Sequence, residues 1–223
     1  MKTVLIISGG MDSTTLLYDL IKQGHEVKAL SFDYGQRHKK ELQYAVKICA
    51  KLGIDHNVID LSTITPFISN SALTSNVAVP EGHYEDNSMK ITVVPNRNAI
   101  MLSVAVGYAE NLGYESVSIA NHGGDHAIYP DCRTEFITAF SLASQLGTYN
   151  KIKINSPYSD ISKADIAEIG LKLGIDYDND TWSCYKGLEE HCGKCGTCVE
   201  RIEAIAEAKK RLKKRLKKRL KNG

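Results

Sequence analysis

Two short stretches of the chain hold side chains whose types and spacing can do chemistry. Cys184, Cys192, Cys195 and Cys198 fall in TWSCYKGLEEHCGKCGTC, a C-x7-C-x2-C-x2-C pattern with Gly193 and Gly196 between the ligating positions. Those glycines permit the tight turns that aim neighbouring thiolates at one point. Four thiolates suit a closed, tetrahedral Zn²⁺ site with no open position for catalysis. A four-cysteine set also serves an iron–sulfur cluster, and zinc is the favoured reading. His191 is a spare ligand, a solvent-facing side chain or a substrate contact. The second stretch is Ser8-Gly9-Gly10-Met11-Asp12-Ser13. Its glycines let the backbone approach an anion closely, and Ser8, Ser13 and Thr14 add hydroxyl donors. Asp12 beside a phosphate calls for an intervening Mg²⁺ or for a helix-capping role. With no GKS or GKT it is not a Walker loop, and it is not the dinucleotide fingerprint. The plain alternative is a glycine-rich turn capped by Asp12 or Ser13.

The elements around these stretches follow from hydrophobic period. Residues 3–7 (TVLII) read as a buried strand, and Leu16, Leu17, Leu20 and Ile21 trace a helical face that Gly24 ends. The loop therefore lies between a strand and a helix, where an open α/β sheet binds its ligands. Further strands are expected at 27–33, 56–61, 116–120 and 152–154. Helices are expected at about 38–52, 97–112, 131–146 and 162–173. The alternation implies a parallel sheet covered on both faces. Residues 62–96, with Pro66, Pro80 and Pro95, show no clear period and read as a long functional or mobile connection. Cys49 reads as a small core residue.

The formal charge of the 223-residue chain is +2. Residues 209–221 (KKRLKKRLKKRLK) carry ten Lys or Arg and no acid, so subtracting ten leaves −8 for the rest. The body is acidic and the tail basic. Like charges recur there at i and i+4, so a frayed helix or disorder is expected for 209–223. A solubilising extension is favoured over contact with anionic RNA or lipid headgroups. No run approaches the roughly 20 apolar residues of a membrane span, and MKTVLIISGGMDS reads as a first strand and not as a secretory signal. A reducing cytoplasm, with no membrane partner, is the expected setting. The expected organisation is an α/β nucleotide- and substrate-binding body over 1–175, a metal-binding region over 176–208, and the tail 209–223.

The intervening motifs carry a resemblance. SGGMDST resembles the SGG-x-DS-T loop of the PP-loop ATP pyrophosphatases, which pass AMP to a substrate oxygen. PEGHYEDNSMKITVVPNRNAIML (80–102), GGDHAIYPDCRTEFI (123–137), SFDYGQRHKKE (31–41) and the cysteine segment resemble the 7-cyano-7-deazaguanine (preQ0) synthase family from residue 1 to about 205. The fold this implies is α/β, an open parallel-sheet, Rossmann-like PP-loop domain with a small C-terminal zinc-binding region. The reaction it implies is ATP-dependent conversion of 7-carboxy-7-deazaguanine and ammonia to a nitrile, through an acyl-adenylate and an amide. One zinc ion per chain, Mg²⁺ and a homodimer come with it. The nucleotide-binding segment it implies runs through Ser8, Gly9, Gly10, Met11, Asp12, Ser13, Thr14, Thr15, Leu16, Leu17 and Tyr18. Asp12, Arg97 and Lys163 are the expected phosphate-end groups, with a surface ion pair or solvated charge as the alternative for the two cations. His126 is the proton-transfer candidate. Asp125, Tyr129, Asp131 and Arg133 are the substrate candidates, each with a cap or local salt bridge as its alternative. Cys132 is a possible thioimidate nucleophile that an adenylate route does not need. Glu81, His83, Tyr84 and Glu85 lie in a stretch that can close over the site or simply link elements. The rival functions are an RNA-thiolating PP-loop enzyme and a non-enzymatic zinc-ribbon module.

Overall fold

A strand buried on both faces reads as an unbroken apolar run, and β1 (Lys2–Ile6) is that strand, with Val4 and Leu5 fully buried. The computed structural model describes residues 1–75, 77–83 and 87–222. After β1 come α1 (Met11–Lys22), β2 (Glu26–Asp33), α2 (Lys40–Leu52), β3 (His56–Asp60), α3 (Thr65–Ile68), α4 (Arg97–Asn111) and β4 (Ser116–Ser118). They are followed by α5 (Thr134–Gly147), β5 (Lys153–Asn155), α6 (Lys163–Lys172), α7 (Tyr177–Asp180) and α8 (Gly196–Asn222). The five strands are all parallel in the order β3-β2-β1-β4-β5. The order reverses between β1 and β4, so their carboxyl ends flank a switch-point crevice.

The sheet is covered on both faces, as the alternation implied. On one side Leu102, Ala105 and Val106 of α4 and Ile137 of α5 pack with Val4, Leu30 and Val117. On the other, Leu16 and Leu17 of α1, Ala45 and Ile48 of α2 and Ile166 of α6 pack with Leu5, Ile7 and Ala29. Cys49 lies in this second cluster, a core thiol.

Three stretches differ from the periodicity reading. The helix expected from 131 begins at Thr134, because Pro130–Cys132 forms a 3-10 turn and Arg133 is extended. The connection 62–96 carries two 3-10 turns, at Ser62–Ile64 and Asn87–Thr92, besides α3. It is anchored by the buried side chains of Ala72, Met89 and Thr92, and by the Ala72 N–H donating to the Ile91 carbonyl at 2.8 Å. Those contacts lie far apart in sequence and leave no local period. The tail, expected to fray or be disordered, continues α8 to Asn222. Arg211 pairs with Asp165 at 2.8 Å and Arg215 with Glu168, so carboxylates of α6 offset part of the repulsion among its cations.

The α1–α6–α7 junction depends on a close approach. The Tyr177 hydroxyl bonds Thr15 Oγ1 at 2.8 Å and lies where a Cβ on Gly170 would be, 1.8 Å away. Gly170→Ala is expected to destabilise the fold by about 1–3 kcal/mol, the usual cost of overpacking, despite alanine's better helix propensity. Denaturant unfolding should show a lower midpoint at unchanged slope, with partial recovery on adding Tyr177→Phe.

Candidate active site and metal centre

The carboxyl end of β1 leads into the loop at residues 8–10. Gly9 has φ +86°, and a Cβ there would lie 2.1 Å from the Glu41 carbonyl oxygen, so only glycine fits. Ser8 Oγ accepts from the Gly10 N–H at 3.1 Å and lies 3.1 Å from Ser13 Oγ, which pins the loop. Gly10 is the N-cap of α1 and supplies no capping side chain. The first-turn N–H groups of α1 therefore lack a side-chain acceptor, which suits a phosphate.

Lys163, at the start of α6, reaches this loop from the side. Its ammonium is 3.1 Å from Asp12 Oδ2, 2.8 Å from Glu200 Oε2 and 3.5 Å from His122 Nε2. Burial opposes the charge, but Asp12, Glu200 and Asp125 more than offset that, and the lysine stays protonated well above its ordinary range. Burial raises the Glu200 carboxyl, with Lys163 pulling it back down. The buried His122 accepts from the Gly124 N–H at 3.0 Å, while Asp125 accepts from the His122 N–H at 3.0 Å. Asp12 Oδ1 is buried and has no hydrogen-bond partner among the described residues. Three carboxylates around one ammonium leave this corner short of positive charge, and the orphaned oxygen fits a cation.

The same cavity extends from Ser8, Gly10, Met11, Asp12 and Lys163 to Tyr34, Glu41, Arg97, Asn121, Asp125, Tyr129, Cys132 and Tyr185. Arg97 opens α4, donates to the Tyr34 hydroxyl at 3.3 Å and lies over that ring, 5.4 Å from its centroid. Burial pushes the Glu41 carboxyl up to about 7 against the pull of Arg97. Tyr129 bonds Thr92 at 2.8 Å. Burial raises the Cys132 thiol far above its ordinary range, and Asn98 Nδ2 contacts its sulfur at 3.1 Å. At neutral pH it is a thiol and not a thiolate nucleophile.

Not every expected site residue comes to the cavity. Leu16 and Leu17 are core residues, Tyr18 packs against that core, and Thr15 bonds Tyr177 and the Met11 carbonyl. They follow the loop in sequence, but the helix turns them inward. Thr14 is fully buried, and Ser13 lies behind Ser8. Asp131 accepts from the Asn98 N–H at 2.8 Å, the cap alternative, and is not among the cavity-lining residues. Arg133 is exposed and donates to the His126 carbonyl at 3.0 Å. His126 is half-buried off the cavity wall, with Nε2 unpartnered among the described residues. Glu81 forms a bridge with Cys195 and an ion pair with Lys186, whereas Tyr84 and Glu85 lie outside the described residues. Glu41, His122 and Glu200 join the site without a sequence signal. Glu41 closes the SFDYGQRHKKE motif, but nothing local separates it from any charged helix residue.

The four cysteines converge. Their sulfurs all lie within 4.8 Å of one another, and Cys192 Sγ is 3.8 Å from Cys198 Sγ. A tetrahedron with metal–sulfur bonds near 2.3 Å has an edge of about 3.8 Å. The N–H groups of Lys186 and Cys192 point at Cys184 Sγ, and those of Lys194 and Cys195 at Cys192 Sγ, which favours thiolates. This cage can hold one metal ion. His191 instead stacks on Trp182 at 4.2 Å and accepts from the Ser183 N–H at 3.3 Å. Trp182 connects the two centres: its backbone N–H donates to the Gly9 carbonyl at 2.9 Å and its ring nitrogen to the Cys184 carbonyl at 3.1 Å. Cys195→Ala is expected to lose the bound metal, measured by elemental analysis of purified protein, and to lower the unfolding midpoint with it.

Comparison with known proteins bears on both centres. A family model described as "Queuosine biosynthesis protein QueC" matches residues 2–209. The chain is similar to "7-cyano-7-deazaguanine synthase" of Methanoregula boonei, 56% identical over 93% of this chain and 95% of that one. It is similar to the protein of the same name from Hahella chejuensis, 54% identical over 92% and 88%. Among solved structures, an NMN synthetase from Francisella tularensis superposes with a TM-score of 0.53 at 18% identity, covering 86% of this chain and 70% of that one. A 4-thiouridine synthetase bound to RNA and ATP gives 0.50 at 16% identity, covering 93% and 51%. These two likenesses establish the fold, an open parallel α/β sheet. The sequence match over nearly the whole chain establishes more: the chain belongs to the QueC family of queuosine biosynthesis proteins.

Proposed function

We propose that this chain makes 7-cyano-7-deazaguanine from 7-carboxy-7-deazaguanine, ammonia and ATP, as a carbon–nitrogen ligase. The observation that carries the reading is 56% identity over 93% of the chain to a relative named for that product. Ammonia cannot displace an oxygen from a carboxylate, so the oxygen must first become a leaving group. Transfer of AMP to it, with release of pyrophosphate, supplies one. Ammonia then forms the C–N bond, AMP leaves and a proton is lost. A second ATP then transfers AMP to the amide oxygen with release of pyrophosphate, and that oxygen leaves on AMP as both N–H protons are lost, which gives the nitrile.

The cavity residues divide this work. The Ser8–Gly10 backbone and the free N-terminus of α1 would seat the phosphates. Lys163 and Arg97 would offset charge that grows on the leaving pyrophosphate. Asp12 fits Mg²⁺, which when bound supplies the countercharge that three carboxylates make necessary. Asp125 and Tyr129 remain the substrate contacts that the cavity favours, and Cys132 as a neutral thiol supports a route without a covalent thioimidate. An RNA-thiolating mechanism would want a pair of cysteines at the cavity, but among the described residues Cys132 is the one cysteine lining it and Cys49 is in the core. Zinc is our assignment for the four-cysteine cage, on the tetrahedral fit of the sulfurs, and its role is structural. A cytoplasmic setting suits the free thiols. A homodimer is supported by Leu142 and Leu146, exposed on α5, and by Tyr149, exposed just beyond its end.

Purified protein given 7-carboxy-7-deazaguanine, ammonium, Mg²⁺ and ATP should yield amide and nitrile by mass, with AMP and pyrophosphate. Asp12→Ala should abolish turnover with zinc content unchanged; zinc-replete wild type that consumes no ATP would refute the proposal. Glu41 is the group we assign to take the proton that ammonia's nitrogen loses as it forms the C–N bond. With its carboxyl near 7, the active carboxylate forms as pH rises through that value, so activity should fall below about pH 7. Glu41→Gln should lower kcat about 100-fold and remove that acid limb, checked by a pH–rate profile.

A further inference from the structure

The family match ends at residue 209, yet α8 continues to Asn222. The chemistry of the cavity therefore leaves the terminal helix unexplained. At 100° per residue, Ala204, Ala208, Arg211 and Arg215 share the side that packs on α6. Leu216 and Leu220 then lie about 100° and 140° round the helix from Arg215. They are 60% and 77% exposed. Lys209, Lys213 and Lys217 occupy the same outward sector and are also exposed. The outward face is thus two leucines set among lysines.

We propose that this face is a docking surface for anionic lipid, with Leu216 and Leu220 entering the headgroup–acyl boundary and the lysines pairing with lipid phosphates. Charge complementarity decides the occupant. A second copy of the helix would bring another ten cations against these ten. An RNA strand would satisfy the lysines but has no use for outward leucines, and the tail holds no aromatic residue for base stacking. A basic helix with one leucine-bearing side matches an interfacial helix lying in the plane of a membrane surface. An anionic surface also relieves the i, i+4 repulsion that α6 offsets only as far as Arg215. No described helix is long and apolar enough to cross a membrane. Contact would therefore be peripheral and sensitive to salt.

The test is vesicle flotation with the full chain, using phosphatidylcholine alone and phosphatidylcholine containing phosphatidylglycerol. The expected result is at least about tenfold greater recovery with the anionic vesicles, lost at high salt. Removing residues 209–223 should abolish recovery and leave ATP consumption unchanged. Leu216→Ser with Leu220→Ser keeps every charge and should lower recovery about tenfold, because two apolar groups no longer leave water. Equal recovery on neutral and anionic vesicles, or none on either, would overturn the proposal. Undiminished recovery of the double variant would also overturn it, and retention on polyuridylate that ignores the leucines would identify RNA as the partner instead.

Discussion

A protonated lysine with only a tenth of its side chain exposed must be matched by carboxylates, or the fold would sooner discharge it. Lys163 satisfies that constraint by drawing Asp12 from the nucleotide loop and Glu200 from the helix behind the cysteines. Three segments far apart in sequence are thereby fixed around one nitrogen. Each partner alone would be costly to bury: burial raises the Glu200 carboxyl, and the lysine is the main group resisting it. The cluster is stable as a unit, and it presents a fixed cation at the mouth of the crevice where β1 and β4 diverge.

The metal cage reaches the same place by a second route. Cys198 and Glu200 are two residues apart at the start of α8, so whatever fixes the cysteine fixes the carboxylate. Trp182 adds a backbone link from the cage to Gly9, and Lys40 lies 4.1 Å over its ring. A metal with no open position can therefore matter to the reaction through geometry alone. Glycine at position 9 is required for the complementary reason, since the α2 backbone passes where a side chain would stand.

Sequence made the local features legible. The apolar run of β1, the loop and the cysteine spacing each declare themselves within a few residues, and the sheet follows from their alternation. What stayed hidden was set by long-range contact. Glu200 is an ordinary helix glutamate until α8 meets α6. Asp131 reads equally as a substrate contact or a cap until the fold brings the Asn98 N–H to it. Leu16 and Leu17 continue the loop in sequence but turn to the core in space. The tail runs as helix where fraying or disorder is expected, for a related reason: its repulsive spacing is a property of an isolated helix, whereas Asp165 and Glu168 are supplied by a neighbour.

That neighbour also sets a phase. One uninterrupted helix carries a cage cysteine, the lysine's carboxylate and, about 30 Å further along at 1.5 Å per residue, the last leucine. Inserting a single residue between 201 and 208 would turn everything beyond it by about 100°, carrying Arg211 and Arg215 off α6 while Glu200 stayed put. The length of that segment works as a key with one cut. Added length beyond the last leucine leaves that phase untouched, but within the short segment insertions and deletions should be purged although no side chain there lines the cavity.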